Sequence, residues 1–182
     1  MFGRFFRSSS GSDRVAVALY GSLVAQARAP GLYATLGVPD TTTGRFEMVV
    51  LHSILAIDRL KRAGAEGKEL GQEVFDAFCR DMDQSLRELG FGDQSVPKRM
   101  KQLGESFYGR AEAYGRTLGD QAGLAAALGR NVFPDSPDTE KTRPLARYAM
   151  AVAEGLTGAR DADLLAGRVS FPPVDEFAGA AL

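Results

Sequence analysis

The chain has 182 residues, enough for one domain with a core of its own, and its 45% hydrophobic and 25% charged residues are ordinary for a globular protein. A formal net charge of −1 argues against wholesale nucleic-acid binding, which needs a basic stripe and a high isoelectric point. A single cysteine, Cys79, excludes an intrachain disulfide and suits a reducing compartment.

Taken in chain order, MFGRFFRSSSGSDR lacks the apolar stretch of a secretory signal. Phe2, Phe5 and Phe6 alternate with Arg4 and Arg7, so residues 1–11 read as a flexible basic and aromatic arm able to rest on an anionic membrane surface. The longest uncharged run, Val15 to Ala27, has 13 residues, fewer than the roughly 20 a membrane-spanning helix needs. Helical periodicity dominates. Ser12 or Asp13 caps a first helix, which runs to Ala29 and stops at Pro30-Gly31. Thr41–Thr43 lead into a second helix, about 44–62, ended by Gly64 and Gly67. A third covers about 68–89 and ends at Gly90. Ser95 caps a fourth, with Val96 and Pro97 opening it, and this helix runs to about Leu118. A shorter helix follows near 120–129, then the turn RNVFPDSPD. Another starts near Thr142, with Pro144 in its first turn, and ends by Gly158. Asp161 caps a last turn through Ala166, and VSFPPVDEF is extended. The prediction is an all-α, single-domain antiparallel bundle of about six helices with short loops over 12–168, followed by an extended tail over 169–182.

Placing residues at 100° intervals shows what each helix buries. Val74, Phe75, Phe78, Cys79, Met82, Leu86 and Leu89 share a face of the third helix. Val96, Met100, Leu103, Phe107, Ala111, Tyr114 and Leu118 form a stripe on the fourth. Residues 66–93 hold eight acids and three bases, while 94–118 hold five bases and two acids. Antiparallel neighbours so charged attract, although exposed pairs contribute only about 0–1 kcal/mol each. The second helix carries a core face (Phe46, Val49, Val50, Ile54, Ile57, Leu60) and a second apolar strip, Met48, Leu51 and Leu55. Such a helix is either central in the bundle, as the rarity of large exposed apolar patches favours, or shows one strip to a partner.

Chemistry-bearing groups are sparse. His52, the only histidine, has no Cys/His/carboxylate cluster around it, so a structural role outweighs metal or haem ligation. Cys79 reads as a buried small hydrophobe, and a Cys–His nucleophile pair with His52 is the minority alternative. Asp81 lies about 140° around the helix from Asp76 and about 160° from Asp83, so the three do not converge. GAEGKEL lacks the first glycine and the Ser/Thr of a P-loop. No metal or other cofactor is implied. Tyr108 falls off the core stripe of its helix, and Gly104, Gly109 and Gly115 within that helix suggest close backbone approach, by an internal segment first and an external one second.

LYATLGVPDTTTGRFEMVVLHSILAIDRLK, FDAFCRDMDQSLRELGFGDQSVPKRMK and FYGRAEAYGRTL, in this order and spacing, resemble the ubiquinol–cytochrome c chaperone family, the bacterial relatives of the mitochondrial assembly factor for cytochrome b. The likeness covers about residues 32–168, with LGRNVF and AGRVSFP in its later part. It implies an all-α, non-enzymatic chaperone that binds cytochrome b on its way into the bc1 complex, alone or with a small partner protein. The signature positions that match are Gly44, Arg45, Phe46, Asp81, Asp83, Arg87, Glu88, Gly92, Asp93, Lys98, Lys101, Tyr108, Gly109 and Arg110. Without the transit peptide and long N-terminal extension of mitochondrial members, the chain is expected in the bacterial cytoplasm, peripheral to the membrane through its N-terminal arm.

The expected client surface is a groove for an amphipathic helix. Met48, Leu51, Leu55, Tyr108 and Arg110 form it, with Asp81, Asp83, Lys98 and Lys101 as flanking charges. The alternatives are a helical small-molecule or haem-binding module, a small enzyme with a pocket near His52, and a purely scaffolding subunit.

Overall fold

The computed structural model describes residues 11–134 and 139–178. Among them run α1 (Gly11–Ala27), α2 (Pro30–Ala34), α3 (Thr42–Leu60), α4 (Gly64–Glu88) and α5 (Val96–Thr117). Then come α6 (Gln121–Val132), α7 (Thr139–Gly158), α8 (Asp161–Leu165) and a 3-10 turn, Val174–Phe177. Six of these helices have twelve residues or more, in the all-α arrangement that the periodicity predicts. Of the basic arm, all but Gly11 lies outside the described residues, as do the last four residues of RNVFPDSPD.

Helix α3 is the axis of the molecule. Every residue from Glu47 to Ile57 is buried, because α3 packs against α1, α4, α5, α6 and α7. A helix surrounded on all sides has no polar face to spare, so its two apolar strips both serve the core. The N-terminus of α3 is fixed by Thr41, whose hydroxyl oxygen accepts from the Gly44 amide at 3.1 Å. Gly44 is required there: a Cβ would stand 2.0 Å from the Pro39 carbonyl oxygen.

Several boundaries differ from those predicted. Pro30 does not end α1 but opens α2, since at a first helical position its missing N–H costs nothing. Helix α4 starts at Gly64, before the predicted residue 68, and Gly67 lies inside it. A Cβ on Gly67 would meet the Leu60 carbonyl oxygen at 2.3 Å, so this glycine lets α4 fold back tightly onto the end of α3. Ser95 makes no side-chain cap; its hydroxyl donates to the Gly92 carbonyl at 2.9 Å. Asp161 is the first residue of α8 rather than its cap, and its carboxylate receives Arg59 at 2.6 Å. Helix α7 begins at Thr139, so Pro144 falls in its second turn.

Residues 169–178, predicted as an extended tail, lie against the body. Val174 is buried, the Phe171 ring meets His52 edge-on at 5.8 Å, and Arg147 donates to the Phe177 carbonyl at 3.1 Å.

The α4–α5 hairpin behaves differently along its length. No residue of α4 beyond Phe78 is fully buried, nor is any of α5 from Pro97 to Ser106. The outer end of the hairpin therefore stands off the core. Its charges pair locally: Arg87 reaches Asp83 at 2.6 Å and Asp93 at 2.5 Å, and Lys101 lies 3.9 Å from Glu105.

Candidate functional site

Helices α3, α4 and α5 enclose an open groove of about 610 Å³. Leu55 and Ile57 line it from α3, Phe75 from α4, and Phe107, Tyr108, Ala111 and Leu118 from α5 and its end. Asp58, Lys61, Lys68 and Glu112 contribute charges of both signs. Phe75 meets the Phe107 ring at 5.0 Å and the Tyr108 ring at 5.6 Å, edge-on and tilted, so the aromatic wall is set by mutual packing. Tyr108 is nevertheless 59% exposed. At 100° per residue, Gly104, Tyr108, Ala111 and Gly115 fall within about 60° of one another, so one ring projects from a face otherwise made of very small residues.

The glycines of α5 do not accommodate an internal neighbour. A Cβ on Gly104, Gly109 or Gly115 would meet nothing within 4 Å. The predicted internal close approach is therefore absent. What remains is a smooth helix surface open to an external segment.

Of the residues expected to form the client surface, only Leu55 and Tyr108 line the groove. Met48 and Leu51 are 0% and 1% exposed; the expectation that they face a partner is corrected, because α3 is central and both fill the core. Arg110 is spent internally. Its guanidinium donates to both oxygens of Glu47, at 2.8 and 2.6 Å, and to the Ser106 hydroxyl at 2.7 Å. Burial pushes the Glu47 carboxyl above its usual range, and the bonds from Arg110 pull it back. Asp81 accepts a 2.6 Å bond from Tyr20 of α1, and burial first, then this bond, pushes the Tyr20 hydroxyl far above its ordinary value. Asp83 and Asp93 clamp Arg87 across the end of α4. Lys98 and Lys101 are exposed on the standing-off end of the hairpin, away from the groove walls. Thus Gly44, Asp81, Asp83, Arg87, Asp93 and Arg110, which the resemblance singled out, have structural duties. Phe107 is buried in the core as its stripe predicts and forms the floor of the groove, whereas Phe75, assigned to the core by the same reasoning, is half-buried on the groove wall, and nothing local marks a ring with one side left open.

His52 is 1% exposed and fully engaged. Its Nδ1 lies 2.7 Å from the Met48 carbonyl oxygen and its Nε2 2.8 Å from the Tyr148 hydroxyl, which also receives the Gln26 amide at 2.8 Å. The consistent assignment is a neutral ring: Nδ1–H donates to the carbonyl and Nε2 accepts from Tyr148. Burial holds its pKa down at about 4. With both nitrogens occupied, His52 offers no lone pair to a haem iron and none to Cys79, whose own thiol burial pushes up. His52 is also not among the groove walls, so this groove is not the pocket that the enzyme alternative places beside it. Among the described residues, no group of three His, Cys, Asp or Glu could hold a metal ion.

Comparison with known proteins places this architecture. The family model described as Ubiquinol-cytochrome C chaperone matches residues 34–171. The crystal structure of the Cbp3 homolog from Brucella abortus is similar, with a TM-score of 0.85 and 43% sequence identity. The match covers 94% of this chain and 96% of that one. Comparison with curated proteins gives no match.

Proposed function

The chain belongs to the ubiquinol–cytochrome c chaperone family, and from that premise we propose that it is an ATP-independent assembly factor. It binds newly made cytochrome b and aids its entry into the ubiquinol–cytochrome c reductase (bc1) complex. The observation that carries this reading is the α3–α4–α5 groove, with its apolar walls, its exposed Tyr108 and its bare α5 backbone. The client consists of apolar helices whose faces lack partners until the complex forms. A groove lined by Leu55, Phe75, Phe107 and Tyr108 covers one such face, and the small residues of α5 let a helix approach closely.

Burial in the groove is worth about 25 cal/mol per Å² before the cost of association. A few hundred Å² thus gives a hold that a better-fitting subunit displaces by mass action, with no nucleotide step. The rim charges, Lys61 and Lys68 with Asp58 and Glu112, tune which client segment fits. This work is done beside the inner face of the cytoplasmic membrane, and among the described residues no helix is long and apolar enough to cross it.

The test is recovery of the tagged chain from detergent-solubilised membranes, with and without ATP depletion. Cytochrome b is expected in the eluate before haem insertion, unchanged by depletion and reduced by Tyr108→Asp. Absence of cytochrome b, or capture that collapses on ATP depletion, overturns the reading.

A further inference from the structure

We propose that the client segment taken by the α3–α4–α5 groove is an apolar helix with an acidic residue at one end of its apolar face, seated so that the acid meets Lys61 and Lys68. This rests on the groove being the client site. The groove has two unlike ends. Phe75 and Tyr108 stand together at one, with ring centroids 5.6 Å apart. Lys68 precedes Phe75 by seven residues in α4, Gly115 follows Tyr108 by seven in α5, and all four line the groove. Since the helices of a hairpin run antiparallel, Lys68 and Gly115 share the other end, about 10 Å from the rings. Lys61 caps α3 and lines the groove there too, because Gly67 brings the start of α4 back onto Leu60.

Of the four charged groups lining the groove, the two acids are already engaged. Asp58 holds Arg62 at 2.5 Å and Glu112 holds Arg116, and neither arginine lines the groove. Lys61 and Lys68 are exposed, and among the described residues neither is paired with a carboxylate. With the arginines counted, four cations stand against two acids at this rim. The acids of the outer side of α4 (Glu66, Glu69, Glu73 and Asp76) sit about 80–160° around the helix from Lys68, and none lines the groove. A carboxylate laid on the apolar walls thus finds two ammonium groups that no acid of the groove competes for. A basic side chain finds only acids that arginines already hold.

The openness of the groove selects a helix over a lipid chain. Tyr108 is 59% exposed, and a Cβ on Gly104 or Gly115 would meet nothing within 4 Å, so an occupant keeps one side in water. An amphipathic helix has a polar face for that side, whereas an acyl chain has none. The two ends also set a spacing. At about 1.5 Å per residue, two turns of client helix separate a side chain packed on Phe75 and Tyr108 from one that reaches the lysines. The acid therefore lies about seven residues from the apolar side chain at the aromatic end.

The experiment uses three fluorescein-labelled amphipathic helical peptides, identical except for Glu, Gln or Lys at that position, titrated with the full chain. Fluorescence anisotropy is expected to show the Glu peptide binding about tenfold tighter than the Lys peptide, with Gln between them. The gap narrows as salt is raised. In the double variant Lys61→Glu with Lys68→Glu the order inverts; both lysines are exposed, so the fold is kept, and its urea midpoint verifies this. The inference is overturned if the three peptides bind alike or not at all, if their order survives the lysine reversals, or if laurate binds more tightly than the Glu peptide. Recovery of cytochrome b with the tagged chain, and its loss in Tyr108→Asp, tests the groove itself, so indifference to peptide charge defeats this inference and leaves that reading standing.

Discussion

Arg110 and Glu47 lie 63 residues apart and are joined across α5 and α3 by two hydrogen bonds, at 2.8 and 2.6 Å. The carboxylate is 2% exposed, so removing its partner leaves a buried charge with no compensation. Arg110→Ala is therefore expected to cost about 3–5 kcal/mol, and Glu47→Leu combined with Arg110→Met to recover most of that loss. Urea unfolding of the two variants beside the wild-type chain checks this. A mild effect of Arg110→Ala would return that residue to the list of client contacts.

His52 makes stability depend on pH in a defined window. Its folded pKa of about 4 is below the ordinary value of 6.5, so the unfolded chain binds the proton more readily. Stability is full above pH 6.5, falls as pH drops towards 4 by up to about 1.4 kcal/mol per unit, and has lost about 3 kcal/mol there. Glu47, raised by burial, contributes in the opposite direction. Comparing wild type with His52→Gln across pH 7 to 4 cancels that contribution, and the difference between them is expected to shrink as pH falls.

The Tyr20–Asp81 bond ties α1 to the start of the standing-off hairpin. Tyr20→Phe and Asp81→Ala are each expected to cost about 1–2 kcal/mol, while Asp81→Asn, which keeps an acceptor, costs less. Urea midpoints measure the differences, and cytochrome b capture by Asp81→Asn is expected to match wild type.

Gly104 and Gly109 have open space where a Cβ would go. Replacing either with alanine is expected to raise stability by about 0.5–1 kcal/mol, because glycine is a poor helix former. Thermal unfolding reads the gain; a loss would mean that the backbone there is closely approached after all.

These relationships mark how far the sequence could be read. The long helices were legible because apolar residues recur at helical spacing and because Gly90 and Ser95-Val96-Pro97 punctuate them. Helix α2 was missed because Pro30 can either end a helix or begin one, and only the packing of Leu32 into the core selects the second. The start of α4 was missed because Gly67 looks like a breaker in sequence and acts as a contact in space. Tyr108 was found because it falls off its stripe, and Leu55 because it extends a second apolar strip. Met48 and Leu51, on that same strip, were indistinguishable from Leu55 until five neighbours closed around α3. Arg110 resembled a surface cation because its partner is on another helix, and no local spacing predicts such a pair.

The groove itself is tested most directly at Gly115, which lines it and has nothing within 4 Å of a would-be Cβ. Gly115→Leu fills the passage without straining the fold, since leucine favours a helix over glycine. The measurement is the amount of cytochrome b recovered with the tagged variant, beside its thermal stability. The account predicts stability equal to or above wild type with capture lost; a stable Gly115→Leu chain that captures cytochrome b normally would contradict it.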